Sequence, residues 1–386
     1  LAGAGGAASK DGAAVHLYAC SAPMVDRALC NADGDLLVVP QLGALSVTTE
    51  MGRLNVAPGE VLVVPRNVLF SVSPGAHGGR GGDGGAGGRG GADGGGAGGH
   101  ADGRAADTCG GGCRGYVLET FAPNHFVLPE LGPIGANGLA EPRDFAYPTA
   151  WFEDRRCDFT LTTKLLGKLW DAPKDHSPFD VVAWHGNYAP FKYDLSRFHA
   201  VNSVTVDHSD PSIFTVLTVP GHNGPVADFV IFPPRWACAE HTYRPPYFHK
   251  NCMSELMGLV GGAYEAKRGG AGGFEPGGAS LHGCGTPHGP DTQSHQMAIS
   301  ADTSKPVKLG GGLAFMFETS ALLLPTAWAT SCALKQADYA RCWDNMPRDF
   351  ALSRANVPVG LADGTAGGGA TSAASVPRPS WVPVDF

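Results

Sequence analysis

From Val15 to Val72 the chain alternates short β-prone runs with turn residues: VHLYAC, DGDLLVVPQLG, then ALSVTTEMGRLNVAPGEVLVVPRNVLFSV. Runs of about four to eight residues, rich in Val, Leu and Thr and punctuated by Gly, Pro and Asn, suit neither long helices nor a βαβ repeat. They predict antiparallel sheets closed into a sandwich or barrel. The pattern returns after Val201 in SIFTVLTV, ADFVIFPPRW and FMFETSALLLPTAW, so the whole chain is expected to be mainly β with few short helices. The best helix candidate is KQADYARCWDNM, near the end.

At 386 residues, 43% of them hydrophobic, the chain is long enough for two core-bearing domains. The expected division falls near Ala200, into residues 1–199 and 200–355, with 356–386 as a loosely ordered tail of Gly, Ala, Ser and Pro. Between Gly75 and Cys113 lies a tract of glycine and short polar residues that cannot bury enough apolar surface to offset its chain entropy. It is expected to be disordered and to sit as an insertion in one hairpin loop, because strand-like VLFSVS precedes it and RGYVLETF follows. Its histidines, His77 and His100, read as solvated.

A net charge of −8, without a Lys/Arg stripe, argues against nucleic acid as a partner. No apolar run approaches the roughly 18 residues of a membrane span, and the front end lacks a secretory signal pattern. The chain opens at Leu1 rather than Met, so a natural beginning, with any targeting signal in it, is expected to be missing. Ten dispersed cysteines read as reduced thiols of a cytoplasmic protein. Cys109 and Cys113 form a close pair, but in a glycine-rich frame that suits no metal knuckle.

One stretch, HKNCMSELMG, sets His249 and Glu255 six residues apart. On a helix that spacing rotates the side chains about 120° apart, and on a straight strand it separates them by about 20 Å. They can share a ligand only if the chain doubles back between them, and Asn251 and Ser254 are suitable turn residues. A third candidate, His288, is clamped between prolines in TPHGP, and His282 lies close by. Two imidazoles and a carboxylate with open positions suit non-haem Fe(II), but zinc hydrolases use the same donors, so spacing alone leaves the metal open.

Longer motifs take the reading further. RPPYFHKNCMSELMGLVGGAYEAK, GGFEPGGASLHGCGTPHGPD, VVAWHGNYAPFKYDL, DHSDPSIFTVLT, DFVIFPPRW and LGPIGANGLAEPRDF resemble, in the same order, the homogentisate 1,2-dioxygenase family. The resemblance runs from about Val15 to Asn356, apart from the glycine-rich tract. VAPGEVLVVPRN fits its cupin-like jelly-roll barrels. The resemblance implies an Fe(II)-dependent enzyme of tyrosine and phenylalanine breakdown that opens homogentisate with O2 to give maleylacetoacetate. It places the iron ligands on His249, Glu255 and His288, and a proton-accepting histidine on His208. It places substrate contacts on Tyr264 and His282, with His288 beside them, and it implies a hexamer built from trimers. Cys252 and Cys284 flank these residues but are not placed on the metal. YEAKRGGAGGFEPGG carries a longer glycine loop than expected of the family. The rivals are a related cupin-type dioxygenase or metal hydrolase acting on another aromatic acid, and a metal-free two-barrel binding or storage protein.

Overall fold

In the computed structural model the described residues are 1–75, 112–132, 135–136, 140–184, 186–200, 203–204, 214–222, 224–239, 248–267 and 273–346. Residues Leu1–Asp344 form one compact unit; of a second unit, Asn345–Phe386, only 345–346 are described. The mainly β expectation holds: strands dominate, and the described α-helices, Thr292–Ile299 and Ala327–Ser331, are short. The larger sheets stack as open layers and do not close into barrels.

The middle layer is an eight-stranded sheet that includes Glu60–Val64, Asp35–Leu42, Cys113–Thr120 and Asp11–Cys20 as neighbours. Its strands read DLLVVPQL and EVLVV, nearly continuous apolar runs, because both of their faces are covered. Leu62 and Val64, with the less buried Leu36 and Val38, pack against Leu45, Val47, Leu54 and Val56 of a six-stranded sheet. Their neighbours Leu37, Val39, Val61 and Val63 point the other way, toward Phe229, Leu256, Phe315 and Phe317 of a five-stranded sheet. Successive side chains of a strand alternate faces, so one sequence run fills two cores. Truncating Leu118, fully buried in the second of these, should cost about 2–5 kcal/mol.

The five-stranded sheet positions the site. Its strands run in the order Phe214–Gly221, Gly224–Phe232, Gly312–Thr319, Ser254–Gly262, Ala279–His282. On the face turned away from the middle layer, Val230, Phe232, Met257, Leu259, Ala314 and Met316 build a smaller core with Phe274. Gly258 is needed here: the ring of its cross-strand partner Phe315 lies where a Cβ would stand.

Two expectations are corrected. Leu69–Pro74 belongs to the six-stranded sheet and Cys113–Thr120 to the eight-stranded one, so the glycine-rich tract joins two layers and is not the loop of a hairpin. Turn residues mark where strands end but not which strands pair. In KQADYARCWDNM only Tyr339–Trp343 is helical, as a 3-10 helix, whereas both described α-helices are unexpected: Ala327–Ser331 begins inside the strand-like FMFETSALLLPTAW, and the longer is Thr292–Ile299. Its TQSHQMAI has no apolar stripe to announce it, but Asp291 caps it by accepting from the Ser294 N–H at 2.6 Å. Residues 76–111, which hold most of the tract, the inserted loop residues 268–272 and the tail from 347 lie outside the described residues.

Candidate metal centre

The chain does double back between His249 and Glu255. The Asn251 side chain accepts from the Met253 N–H at 3.0 Å, closing an Asx turn, and Ser254 then opens the strand that carries Glu255. His249 and His288 face each other across a two-residue antiparallel bridge, with backbone hydrogen bonds of 2.9 and 3.0 Å. Donor atoms of His249, Glu255 and His288 all lie within 4.8 Å of one another. Two loops and a strand end thus bring the three sequence candidates to one point.

Donor chemistry agrees with a cation there. His288 Nδ1–H donates to the Thr286 carbonyl at 2.8 Å, which commits the ring's proton to that side. Its Nε2 faces Glu255 Oε2 at 2.7 Å, and only a second proton or a metal ion can join those two atoms. Glu255 itself is 4% exposed. Burial pushes its carboxyl toward the neutral form, but bonds from His249, His288 and Asn251 outweigh burial and hold it well below the usual carboxylate range. An ionised acid beside two imidazoles is what a divalent cation requires.

Sequence reasoning missed what lies beside Glu255. Across the five strands, Thr218, Asp228, Glu318, Glu255 and His282 are successive cross-strand partners. Like charges in such a row repel. Thr218 donates to Asp228 at 2.5 Å, and the Asn251 amide donates to Glu255 at 2.8 Å and to Glu318 at 2.7 Å. Burial and the Glu255 charge push Glu318 up to about 7, so of the two facing acids Glu318 takes up a proton far more readily than Glu255. The one available signal was an acid closing the apolar run GLAFMFET.

The remaining candidates divide. The His282 ring stacks on His288 with centroids 4.1 Å apart, and its Nδ1 lies 3.9 Å from Glu255 Oε2. Tyr264 sits in the small core, edge-on to Phe232 and Phe274 at 5.7 and 6.1 Å, where burial raises its hydroxyl pKa. Cys252 and Cys284 stand exposed outside the cluster. His208 lies outside the described residues. Among the described residues, no helix is long and apolar enough to cross a membrane.

Residues 196–350 match the family described as "Homogentisate 1,2-dioxygenase C-terminal", and residues 1–82 and 105–195 match "Homogentisate 1,2-dioxygenase N-terminal". The chain is 47% identical over 354 residues to homogentisate 1,2-dioxygenase of Caenorhabditis elegans, covering 91% of this chain and 72% of that one. Against the Arabidopsis thaliana enzyme identity is 48% over 364 residues, with 92% and 71% covered. The enzyme of Oryza sativa subsp. japonica is 49% identical over 352 residues, with 90% and 67% covered. Among solved structures, a cupin 2 conserved barrel domain protein from Leptotrichia buccalis covers 80% of this chain and 83% of its own at 7% identity. The TM-score of that match is 0.32. With both family profiles and these relatives agreeing along nearly its whole length, the chain belongs to the homogentisate 1,2-dioxygenase family, oxidoreductases that open the ring of homogentisate with O2.

Proposed function

We propose that His249, Glu255 and His288 hold a single Fe(II) and that homogentisate is opened there to maleylacetoacetate. The observation that carries this reading is the convergence of the three donor groups within 4.8 Å. Bound there, Fe(II) would supply a Lewis acid for the substrate's phenolate and a path for electron density from the ring to O2.

The chain's own residues supply the rest. Glu255 is held ionised, and the Thr286 carbonyl fixes the His288 tautomer with Nε2 toward the centre. The bridge between His249 and His288 sets the two imidazoles before any ligand arrives, so little ordering entropy remains to be spent on binding. Glu255, His282 and His288 are each at most 7% exposed, which limits competing water on their side of the centre, whereas the His249 side chain is 24% exposed. His208 takes the phenol proton, a task suited to an imidazole at neutral pH. Tyr264 and His282 contact the substrate, with His288 alongside. The assembly is a hexamer built from trimers, located in the cytoplasm, and the chain divides near Ala200 into a first domain and the iron-binding one.

The test is aerobic turnover of homogentisate by Fe(II)-loaded protein, followed by maleylacetoacetate absorbance, beside His288→Ala and with gentisate as control substrate. Loss of turnover in His288→Ala supports the ligand set. Equal rates in the two proteins, or preference for gentisate, overturn the reading.

A further inference from the structure

A buried lysine stands behind His282, brought there by the turn of YEAK, where the Lys267 N–H returns to the Tyr264 carbonyl at 3.3 Å. Lys267 is only 5% exposed, and its ammonium lies between the Tyr339 ring at 4.6 Å and the Trp343 ring at 4.9 Å. Trp343 in turn donates to the carbonyls of Gly289 and Pro290 at 3.3 and 3.0 Å, tying this 3-10 segment to the loop that carries His288.

Lys267 Nζ stands 3.2 Å from His282 Nε2, and the Tyr339 hydroxyl stands 2.9 Å from the same nitrogen and also bonds Lys267. An ammonium has donors and no acceptor, so a ring nitrogen at hydrogen-bond distance from it must be the bare one. The ring's proton is then on Nδ1. That nitrogen is buried without a hydrogen-bond partner and lies on the side of Glu255. Buried polar atoms are nearly always partnered, so an orphaned N–H on the side of the metal centre marks the place of an acceptor that arrives with the substrate.

We infer that Lys267 and Tyr339 are positioning residues that lock His282 as an Nδ1–H donor, so that His282 gives a hydrogen bond to an oxygen of the bound substrate and does not act as a base or a metal ligand. This rests on the proposed placement of substrate at the three-residue centre. The ring is suited to remaining neutral, being buried with the Lys267 ammonium 3.2 Å from its Nε2. Burial lowers the pKa of Lys267, to about 8, which leaves it mostly protonated at neutral pH.

The experiment has two readouts. In the full chain before iron is added, histidine-selective ¹⁵N spectra, with the His282 signals assigned by their loss in His282→Gln, should show a neutral ring protonated at Nδ1. In Lys267→Met combined with Tyr339→Phe, two shape-preserving changes, that preference should relax to a mixture of tautomers. With Fe(II) loaded, the double variant should bind iron at the wild-type stoichiometry but raise KM for homogentisate about tenfold, the worth of one good hydrogen bond. A wild-type ring protonated at Nε2 would overturn the inference, and this measurement needs no variant to fold. So would a double variant whose tautomer and KM both match wild type. Failure of the wild-type protein to bind Fe(II), with His282 still protonated at Nδ1, would instead remove the proposed metal centre and leave the tautomer lock standing.

Discussion

Two buried glutamates at strand positions, Glu119 in the middle layer and Glu255 at the site, solve the same problem in different ways. Both are nearly inaccessible, at 2% and 4% exposure, and both accept a hydrogen bond from an asparagine amide, Asn31 in one case and Asn251 in the other. Glu119 also meets Lys164 and His16, so its neutralising cation is part of the fold. Glu255 meets two imidazoles and lies beside another acid, Glu318. The structural acid is complete within the chain, whereas the site acid is arranged around a cation from outside. Incomplete charge compensation inside a well-packed sheet is therefore a sharper mark of function than burial of an acid as such.

Replacement of the two acids should separate these roles most widely. Glu255→Gln should abolish stoichiometric Fe(II) binding and lower turnover more than about 100-fold, beyond the cost of an outer partner, while destabilising the metal-free protein less than the loss of Glu119, because no lysine loses a partner there. Iron titration and calorimetry on the same samples check both halves. Glu119→Gln should do the reverse, destabilising the protein by roughly 1–3 kcal/mol, because His16, Lys164 and Asn31 lose the charge they bond although Lys164 keeps Asp33 at 3.2 Å, with iron stoichiometry unchanged. Denaturant unfolding measures this, and a variant of wild-type stability would remove the distinction.

Acid tests the structural acid on its own, in variants compared at Glu119. Burial opposes ionisation of Glu119, but hydrogen bonds from His16, Lys164 and Asn31 prevail and bring its pKa from 4.5 to about 2. The unfolded chain therefore takes up this proton first as pH falls. Its stabilisation is fully present above pH 4.5 and disappears as pH drops toward 2, a change on the order of 2–3 kcal/mol that Glu119→Gln should lack. The smallest expected effect concerns the two amides. Asn251→Ala should weaken Fe(II) binding by about 10–100-fold, since Glu255 and Glu318 lose their shared donor, whereas Asn31→Ala should leave iron affinity untouched. Anaerobic titrations giving equal affinities would show that Glu255 needs no orientation.

Much of the site was legible because its chemistry is local. HKNCMSE needs a turn and contains the Asx residue that makes one, and TPHGP confines its histidine by proline. The strand runs were legible for a similar reason: short runs rich in Val, Leu and Thr, bounded by Gly, Pro and Asn, describe a strand without reference to distant parts of the chain. What escaped depends on contacts between remote segments. Lys267 and Tyr339 are 72 residues apart, and nothing in YEAK or in DYARCW indicates that they meet. The row through Asp228, Glu318 and Glu255 exists only once three strands are aligned. The helix Thr292–Ile299 depends on its Asp291 cap rather than on an apolar stripe, so periodicity passes over it.

Glu255 and Leu256 are neighbours that face opposite ways, one toward the imidazoles and the other into the core shared with the middle layer. Sliding that strand by a single residue would seat a leucine among the imidazoles and force a carboxylate into hydrocarbon. Catalysis and packing thus fail together, and a heat-damaged or misassembled population should lose active molecules outright instead of accumulating sluggish ones.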